Sequence, residues 1–530
     1  MSLDDLKPTI YITGAGPGDP GLLTLKAKEI IEKADVIAYD NLVSKEILEY
    51  AISVNKNTKG TYCSKPLLVY VGKIGGEHEK SLNQDQINKL ILELSKEYKI
   101  ICRLKGGDPN IFGRGGEEAI FLKENNINFE VIPGVSSISS VPAYAGIPIT
   151  HRDCNSSFTV ITAHEDPNSP ESKIKWDNFD AINNTLVLLM GVKYLPQIIE
   201  KLISLGRSKD TPLAIIYSGT TSKQKTITTI LANAIDEIKT NGIKAPSIIV
   251  IGEVVNYRSV LNWFESKPLF GKRILITRSK EQSFSFASQL IQRGAKPINC
   301  PTVSYSLNEK ELYNKSIINN ISNFDWILFT SQNAVRFFFE SLDRNCYDAR
   351  VMSKCQIAVV GYKTKLELEK YNIKADFVPK KFSFQDLLNE LNEKEYLQDK
   401  KILYPTQVEI CQGMSLSNLT TWPIYNANFV EELNEQIISE IKEGIDIITF
   451  FSSNTAKHFY KLIEKYNFVE ACRGKPLYAV IGQETANTVK QLFGHVDIIA
   501  ESSTEEGLIN SMEKYFAVET LPVTSLLYKK

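Results

Sequence analysis

Short β-branched runs, each followed by a stretch of helical periodicity, recur from one end of the chain to the other. They are Thr9–Thr13, Lys99–Leu104, Ser157–Thr162, Thr185–Met190 and Ile248–Ile251, then Arg273–Thr277, Trp326–Thr330, Gln356–Val360, Lys401–Tyr404, Ile445–Phe450 and Leu477–Ile481. Such alternation predicts α/β architecture with mainly parallel strands, because a parallel neighbour is reached only through a crossover that a helix supplies. At 530 residues the chain exceeds the size at which one core stops growing, so at least two such domains are expected. Asn262-Trp263-Phe264 closes one block, and Glu265–Gly271 carries the Pro and Gly punctuation of a short linker. The boundary is placed near residue 268, giving domains 1–267 and 268–530.

The charge balance narrows the class of function. Sixty-one Lys and Arg against 62 Asp and Glu leave a formal charge of −1, with 43% hydrophobic and 23% charged residues. A polybasic nucleic-acid binder and a disordered chain are both disfavoured. The eight cysteines form no C-x-x-C and the five histidines no H-x-x-x-H, so neither a zinc site nor a disulfide framework is signalled. Met1–Pro8 is polar, and no apolar run approaches the roughly 20 residues of a membrane span. A reduced, soluble, cytoplasmic protein without metal, nucleic-acid or membrane partners is expected.

The second half echoes itself. Thr330-Ser331-Gln332-Asn333-Ala334 and Phe451-Ser452-Ser453-Asn454-Thr455 each follow an apolar strand, and Ala358–Gly361 with Thr364 matches Ala479–Gly482 with Thr485. Both pairs are offset by 121 residues, which predicts two similar α/β lobes facing one cleft.

In the first half, Gly14-Ala15-Gly16-Pro17-Gly18-Asp19-Pro20-Gly21 stands between a strand and a helix opening at Leu22-Leu23-Thr24, where glycine lets backbone approach a ligand. A dinucleotide fingerprint would need a third glycine where Asp19 stands, and two prolines remove N–H donors, so this loop is not read as an NAD site.

Further runs make a more specific pattern: Tyr39–Ser44, Val71-Gly72-Lys73, Arg103-Leu104-Lys105-Gly106-Gly107-Asp108-Pro109, Ile111–Glu118 and Ala143–Arg152. In this order over residues 9 to 264 the sequence resembles the tetrapyrrole methylase family, and within it the uroporphyrinogen-III C-methyltransferases. The resemblance implies the two-lobed fold of that family, S-adenosylmethionine as methyl donor, and uroporphyrinogen III as acceptor, methylated twice at C2 and C7 to give precorrin-2. It implies donor contacts at Pro17, Gly106, Gly107, Asp108, Ile111, Ser136, Ser137, Met190 and Gly219, a proton acceptor at Asp40 and a proton donor at Lys73. It also implies homodimers. Arg103, Arg114 and Arg152 are candidates for substrate carboxylates through paired guanidinium contacts, against the alternative of surface ion pairs. The chemistry suits these residue types: a sulfonium donor is already activated, so alignment and handling of one proton remain. Asp40 alone would read as a strand-end cap, and His151 and His164 as packing residues. Ile74 and Asn41 stand where the family usually has arginine, Ser136-Ser137 keeps a hydroxyl, and Asn55–Pro66 reads as a polar insertion.

Residues 271 to about 515 resemble uroporphyrinogen-III synthase through Ile276-Thr277-Arg278, Phe324-Asp325-Trp326, Thr330-Ser331, Val360-Gly361, Pro423-Ile424-Tyr425, Phe451-Ser452-Ser453 and Ile481-Gly482 with Thr485. That resemblance implies a two-lobed α/β fold and cyclisation of hydroxymethylbilane with inversion of ring D, a reaction of an intrinsically reactive substrate that needs positioning more than a strong acid. Tyr425 matches a proposed proton donor to the departing hydroxyl, and Arg278, Thr330, Ser331, Ser452, Ser453 and Thr485 are candidate substrate contacts. For the hydroxyls the alternative is helix capping; for Tyr425 it is burial.

The leading expectation is a bifunctional enzyme acting on small-molecule tetrapyrroles. A second keeps the methyltransferase and makes the C-terminal half a non-catalytic tetrapyrrole-binding module. A third has the first half methylating RNA or protein, which the near-zero charge disfavours. The segment Leu521–Lys530 matches nothing interpretable.

Overall fold

In the computed structural model, residues 7–54, 66–72, 82–169, 171–172, 174–176, 184–381, 383–394, 396–407, 418–469, 472 and 476–519 are described. The Asn55–Pro66 stretch, apart from Pro66, and Leu521–Lys530 lie outside them. The chain divides into two compact units, Met1–Lys272 with Arg293–Lys296, and Arg273–Gln292 with Pro297–Lys530.

The first unit holds two sheets. Strands β1 (Thr9–Gly14), β2 (Val36–Tyr39), β3 (Leu67–Tyr70), β4 (Ile100–Lys105) and β5 (Asn128–Ile132) lie in the order β3-β2-β4-β1-β5, every pair parallel. Ile10, Ile12, Ile37 and Ile101 are wholly buried because helices cover both faces: Ala27, Ile30 and Ile47 on one side, Ile87, Ile91 and Leu122 on the other. The connection from β1 to β2 runs one way across the sheet and that from β4 to β5 the other. A crevice therefore opens at the carboxyl ends of β1 and β4, the usual place for a ligand in such sheets.

The second sheet departs from the expected parallel arrangement. Strands β6 (Phe158–Thr162), β7 (Thr185–Leu189), β8 (Pro212–Tyr217), β9 (Lys225–Ile230) and β10 (Ser247–Ile251) take the order β6-β7-β10-β8-β9, and only β6 and β7 are parallel. The cause is local: β8 and β9 are joined by the short turn at Ser218–Gln224, which can only return the chain antiparallel.

The second unit contains β11 (Arg273–Ile276), β12 (Lys296–Asn299), β13 (Val303–Leu307), β14 (Trp326–Phe329), β15 (Gln356–Val359), β16 (Ile402–Gln407), β17 (Leu419–Phe429), β18 (Ile447–Phe450), β19 (Leu477–Val480) and β20 (Ile498–Ile499). One sheet has the order β12-β11-β18-β19-β20, the other β13-β17-β16-β14-β15. The chain leaves the first lobe after β12, builds the whole second lobe, and returns at β18. The 121-residue echo is one β-turn-α pair placed once in each lobe. Ser331 caps helix Gln332–Arg344 after β14 as Ser452 caps Ser453–Lys465 after β18, and Gly361 and Gly482 open the next helices, Tyr362–Glu369 and Gln483–Phe493.

Among the described residues no helix is long and apolar enough to cross a membrane. In the second lobe Trp422 is fully buried, edge-on to Phe338 at 5.7 Å between ring centroids. Truncating it removes a large ring from a closed core, so Trp422→Ala should destabilise this unit by about 3–5 kcal/mol. The check is a lower urea midpoint by far-ultraviolet circular dichroism; an unchanged midpoint would mean this core does not govern the unit.

Candidate active sites

The first site is built on backbone contact. Gly16 and Gly107 exchange hydrogen bonds, Gly16 N–H to Gly107 O at 3.1 Å and Gly107 N–H to Gly16 O at 2.7 Å, so the loops after β1 and β4 are laced together. A Cβ on Gly14 would stand 2.5 Å from Gly134 Cα, and one on Gly134 would collide with Gly107 O. Only glycine admits three chains this close. Asp108 completes the junction, accepting from Gly134 N–H at 3.0 Å and Asn110 N–H at 2.8 Å. Its first task is thus to hold the loops after β4 and β5, and both carboxylate oxygens, expected to meet the methyl donor, already accept backbone bonds.

Around this junction stand most of the residues singled out from the sequence. Gly107, at φ +69°, would point a Cβ into space bounded only by Ser137 N at 3.9 Å, and Ser136 caps the helix that Ser137 begins. Gly106 lies against Leu42, two residues beyond Asp40, where a Cβ would come within 2.5 Å. Pro17 and Gly18 form the loop tip: a Cβ on Gly18 would stand 2.8 Å from Thr221 Cγ2, Asp19 N–H donates to Thr220 Oγ1 at 3.3 Å, and Tyr144 donates to Asp19 Oδ2 at 2.9 Å. Gly219 fits against Val141 with no room for a side chain. Backbone strain marks the same places. Phe112, Arg114, Met190, Ser218 and Thr220 all adopt left-handed conformations at φ +47° to +66°, each costing about 1–3 kcal/mol that surrounding structure must enforce. Ile111 and Met190 expose 41% and 53% of their surface, leaving apolar contact area uncovered beside the strained turns. Glycine cradle, helix start and uncovered apolar side chains fit a donor that carries an adenosine and a charged amino acid.

Charge is concentrated at the end of β2. Asp40 accepts from Leu42 N–H at 3.1 Å through Oδ1 and lies 3.5 Å from Arg103 Nη2 through Oδ2. Arg103 was expected to meet substrate; instead it is only 2% exposed, its Nη1 donating to the Leu104 carbonyl and its Nη2 to Glu118 Oε1 at 3.4 Å. The reason is strand geometry: residue 103 points into the core face of a central strand, as does Lys105, whose ammonium bonds Glu118 Oε1 at 2.7 Å. Burial, reinforced by the neighbouring Arg103, pulls the Lys105 ammonium below its usual range against the opposing pull of Glu118. Lys105 and Glu118 were missed as a pair. The available signal was two cations at alternate positions of an otherwise apolar strand, which demand a buried anion. Arg114 is exposed and forks onto Glu117 at 2.9 and 2.5 Å, Arg152 is exposed, and Lys73 lies outside the described residues. His151 packs on Tyr257, with Nδ1 2.9 Å from its hydroxyl.

In the second unit, hydroxyls replace charges. Tyr425, 4% exposed, lies 3.2 Å from Ser331 Oγ and stacks on Phe337; Thr330 Oγ1 lies 3.3 Å from Tyr404 OH. Burial pushes the Tyr425 phenol above its usual range, only partly offset by Ser331, so it keeps its proton at neutral pH. Ser331 Oγ also accepts from Ala334 N–H, and Ser452 joins Thr455 in a capping box. Ser453 bonds Thr488 at 3.0 Å. Thr485, a candidate substrate contact, is 5% exposed and buried in the first turn of its helix, like its echo Thr364 at 6%. Arg278 is also already engaged, stacked on Phe451 and bonded to Glu505 Oε1 at 2.6 Å. Glu505, in the lobe of β11, is reached at 2.6 Å by Lys363 of the other lobe, a cross-lobe pair that the sequence did not signal.

Two family models match the chain: Tetrapyrrole (Corrin/Porphyrin) Methylases over residues 9–235, and Uroporphyrinogen-III synthase HemD over residues 285–510. The porphyrin biosynthesis protein HemD of Ruminiclostridium josui is 35% identical over 517 residues, covering 95% of this chain and 97% of that protein. The chain belongs to this fused family. A uroporphyrinogen-III C-methyltransferase of Bacillus subtilis is 46% identical over 258 residues, 49% of this chain and 95% of its own. The S-adenosyl-L-methionine-dependent uroporphyrinogen III methyltransferase of Methanosarcina barkeri is 44% identical over 253 residues, 48% of this chain and 94% of its own. The chain is therefore a methyltransferase domain of tetrapyrrole biosynthesis fused to a HemD synthase domain.

The cross-lobe pair in the synthase domain gives a pH test. Burial raises the Glu505 carboxyl, but Lys363 and Arg278 together outweigh it and hold the group below its usual range. A carboxyl depressed in the folded state contributes stability above its unfolded value and loses it as pH falls. The difference in urea midpoint between wild type and Glu505→Gln should therefore be largest at pH 7 and shrink below about pH 4.5; a gap independent of pH would show that the pair carries no net stability.

Proposed function

We propose that the chain performs two consecutive steps. The synthase domain cyclises hydroxymethylbilane to uroporphyrinogen III with inversion of ring D, and the methyltransferase domain methylates that product at C2 and C7 to give precorrin-2. The single observation that carries the reading is the fusion itself: the two family matches share one chain, and one family's product is the other's substrate.

S-adenosylmethionine, when bound, supplies an electrophilic methyl group on a sulfonium. The residues that would hold it are the Pro17–Gly18 tip, Gly106, Gly107 and Asp108, Ile111, Ser136 and Ser137, Met190 and Gly219; the laced glycine backbones and the strained turns support this assignment. Asp40, at the rim with both oxygens oriented, accepts the proton that the macrocycle gives up from a meso carbon or a pyrrole nitrogen once a ring carbon, which carries no hydrogen of its own, has taken the methyl group, and Lys73 is proposed as the donor. Arg114 and Arg152 remain exposed for substrate carboxylates. In the synthase domain the protonated Tyr425 assists departure of the bilane hydroxyl, with Thr330, Ser331, Ser452 and Ser453 offering hydroxyls and helix starts to carboxylates.

Purified protein supplied anaerobically with hydroxymethylbilane should yield type III macrocycle without the donor and a dimethylated product with it, read by mass. Tyr425→Phe should lower cyclisation while leaving methylation of added uroporphyrinogen III intact. A wild type that accelerates no cyclisation would leave the C-terminal half a binding module, and absence of labelled methyl from the macrocycle would remove the methyltransferase reading. The reading extends to assembly as a homodimer through the first unit, supported by Val260 and Trp263, 82% and 49% exposed beside an apolar hollow lined by Ala143, Ile147 and Pro148. Light scattering at the mass of one chain would exclude it.

A further inference from the structure

Four ionised groups meet beneath the rim of the methyltransferase site, and three of them are buried. Arg103, Lys105 and Glu118 are 2%, 4% and 2% exposed. Glu118 Oε1 receives Lys105 Nζ at 2.7 Å, Gln84 Nε2 at 3.2 Å and Arg103 Nη2 at 3.4 Å. Burying such a set is costly, and a well-packed apolar replacement is often as stable or more so. The set is not even fully satisfied: Arg103 Nε and Glu118 Oε2 have no hydrogen-bond partner, and the two side chains lie among Ile10, Ile12, Asn88, Ile91 and Leu122. A group of this kind calls for an explanation beyond stability.

The explanation lies in its fourth member. Two buried cations against Glu118 leave one positive charge over, and Asp40 balances it through Arg103 Nη2 at 3.5 Å. Asp40 is the member that reaches the surface, with its side chain 22% exposed where Arg103 has 3%. Arg103 cannot swing away to meet another anion, because Nη1 is bound to the Leu104 carbonyl at 3.1 Å and approaches that of Ala38 at 3.5 Å. Asp40 Oδ2 is thus addressed from below by an immobilised guanidinium while Oδ1 is held by Leu42 N–H. We infer that Arg103, braced by Glu118 and Lys105, is a positioning residue that fixes the orientation of the Asp40 carboxylate for proton acceptance. The inference rests on the proposed role of Asp40. It assigns the buried charge of the set to geometry at the rim, where a displacement of about 1 Å at a reacting group can cost 100-fold in rate.

The test uses the full chain with uroporphyrinogen III and S-adenosylmethionine. Glu118→Gln removes the brace without changing its size, and should lower kcat for methylation about 10- to 100-fold while KM for the macrocycle and the Kd of S-adenosylhomocysteine stay within about twofold. Arg103→Lys keeps the charge but cannot span two carbonyls and two carboxylates, and should show the same split. It serves if Glu118→Gln does not fold. In an Asp40→Asn background, Glu118→Gln should cost nothing more, since both act through one carboxylate. A parallel loss of kcat, KM and S-adenosylhomocysteine binding would reduce the set to a structural role and overturn the inference, as would an additive loss in the double variant. If Asp40→Asn abolishes methylation while Glu118→Gln and Arg103→Lys turn over like wild type, the positioning role is wrong and the reading of Asp40 stands. If Asp40→Asn methylates normally, that reading falls and takes the inference with it.

Discussion

Three backbones meet without side chains at the carboxyl edge of the first sheet, and the methyltransferase site hangs from that contact. Gly14, Gly107 and Gly134 belong to the ends of β1, β4 and β5, which are neighbours in the sheet. Because none carries a Cβ, the three loops close on one another, Gly16 can lace to Gly107, and one carboxylate, Asp108, suffices to lock the remaining pair. Any side chain there would force the loops apart and open the cradle before a ligand reached it.

The two proposed sites differ in how they deploy charge. The methyltransferase half buries ionised groups under a single exposed carboxylate and leaves Arg114 and Arg152 at the surface. The proposed synthase site offers hydroxyls, helix starts and a phenol held protonated by burial, while Arg278 and Lys363 converge on the chain's own Glu505. The contrast follows the chemistry each must do. Methyl transfer leaves a proton to be collected at one place, whereas ring closure of a reactive bilane asks mainly that the chain be folded and its hydroxyl helped away.

Much of this was legible beforehand, and the misses share a cause. Strand positions, the repeated β-turn-α pairs and the glycine loops were readable because each depends on residues near one another in the chain. Ser331 and Ser452, candidates for substrate contact with capping as the alternative, do cap their helices, a role that a serine following an apolar run makes readable. The burial of Arg103 was not readable: a guanidinium in a sequence looks available to any anion, and only the pleat of a central strand turns it inward. Nor did the sequence indicate the burial of Thr485, which its place in the first helical turn decides. The antiparallel second sheet was missed because β10, which begins only at Ser247, well after β8 ends at Tyr217, inserts between β7 and β8.

Sequence alone determined the kinds of chemistry present: two α/β halves, glycine loops for close approach, a carboxylate at a strand end, and a tyrosine in the run Pro423-Ile424-Tyr425. Each is a matter of local spacing and residue type, which the linear chain states directly. Folding decided which charges are spent on each other. Whether Arg103 serves substrate, or Glu118 and Asp40, depends on distances between residues 15 to 63 positions apart and on which face of a strand they occupy. Hydrogen bonds act only within a few ångströms, and Coulombic energy strengthens as charges approach and lose water, so that choice exists only once the sheet has brought them together.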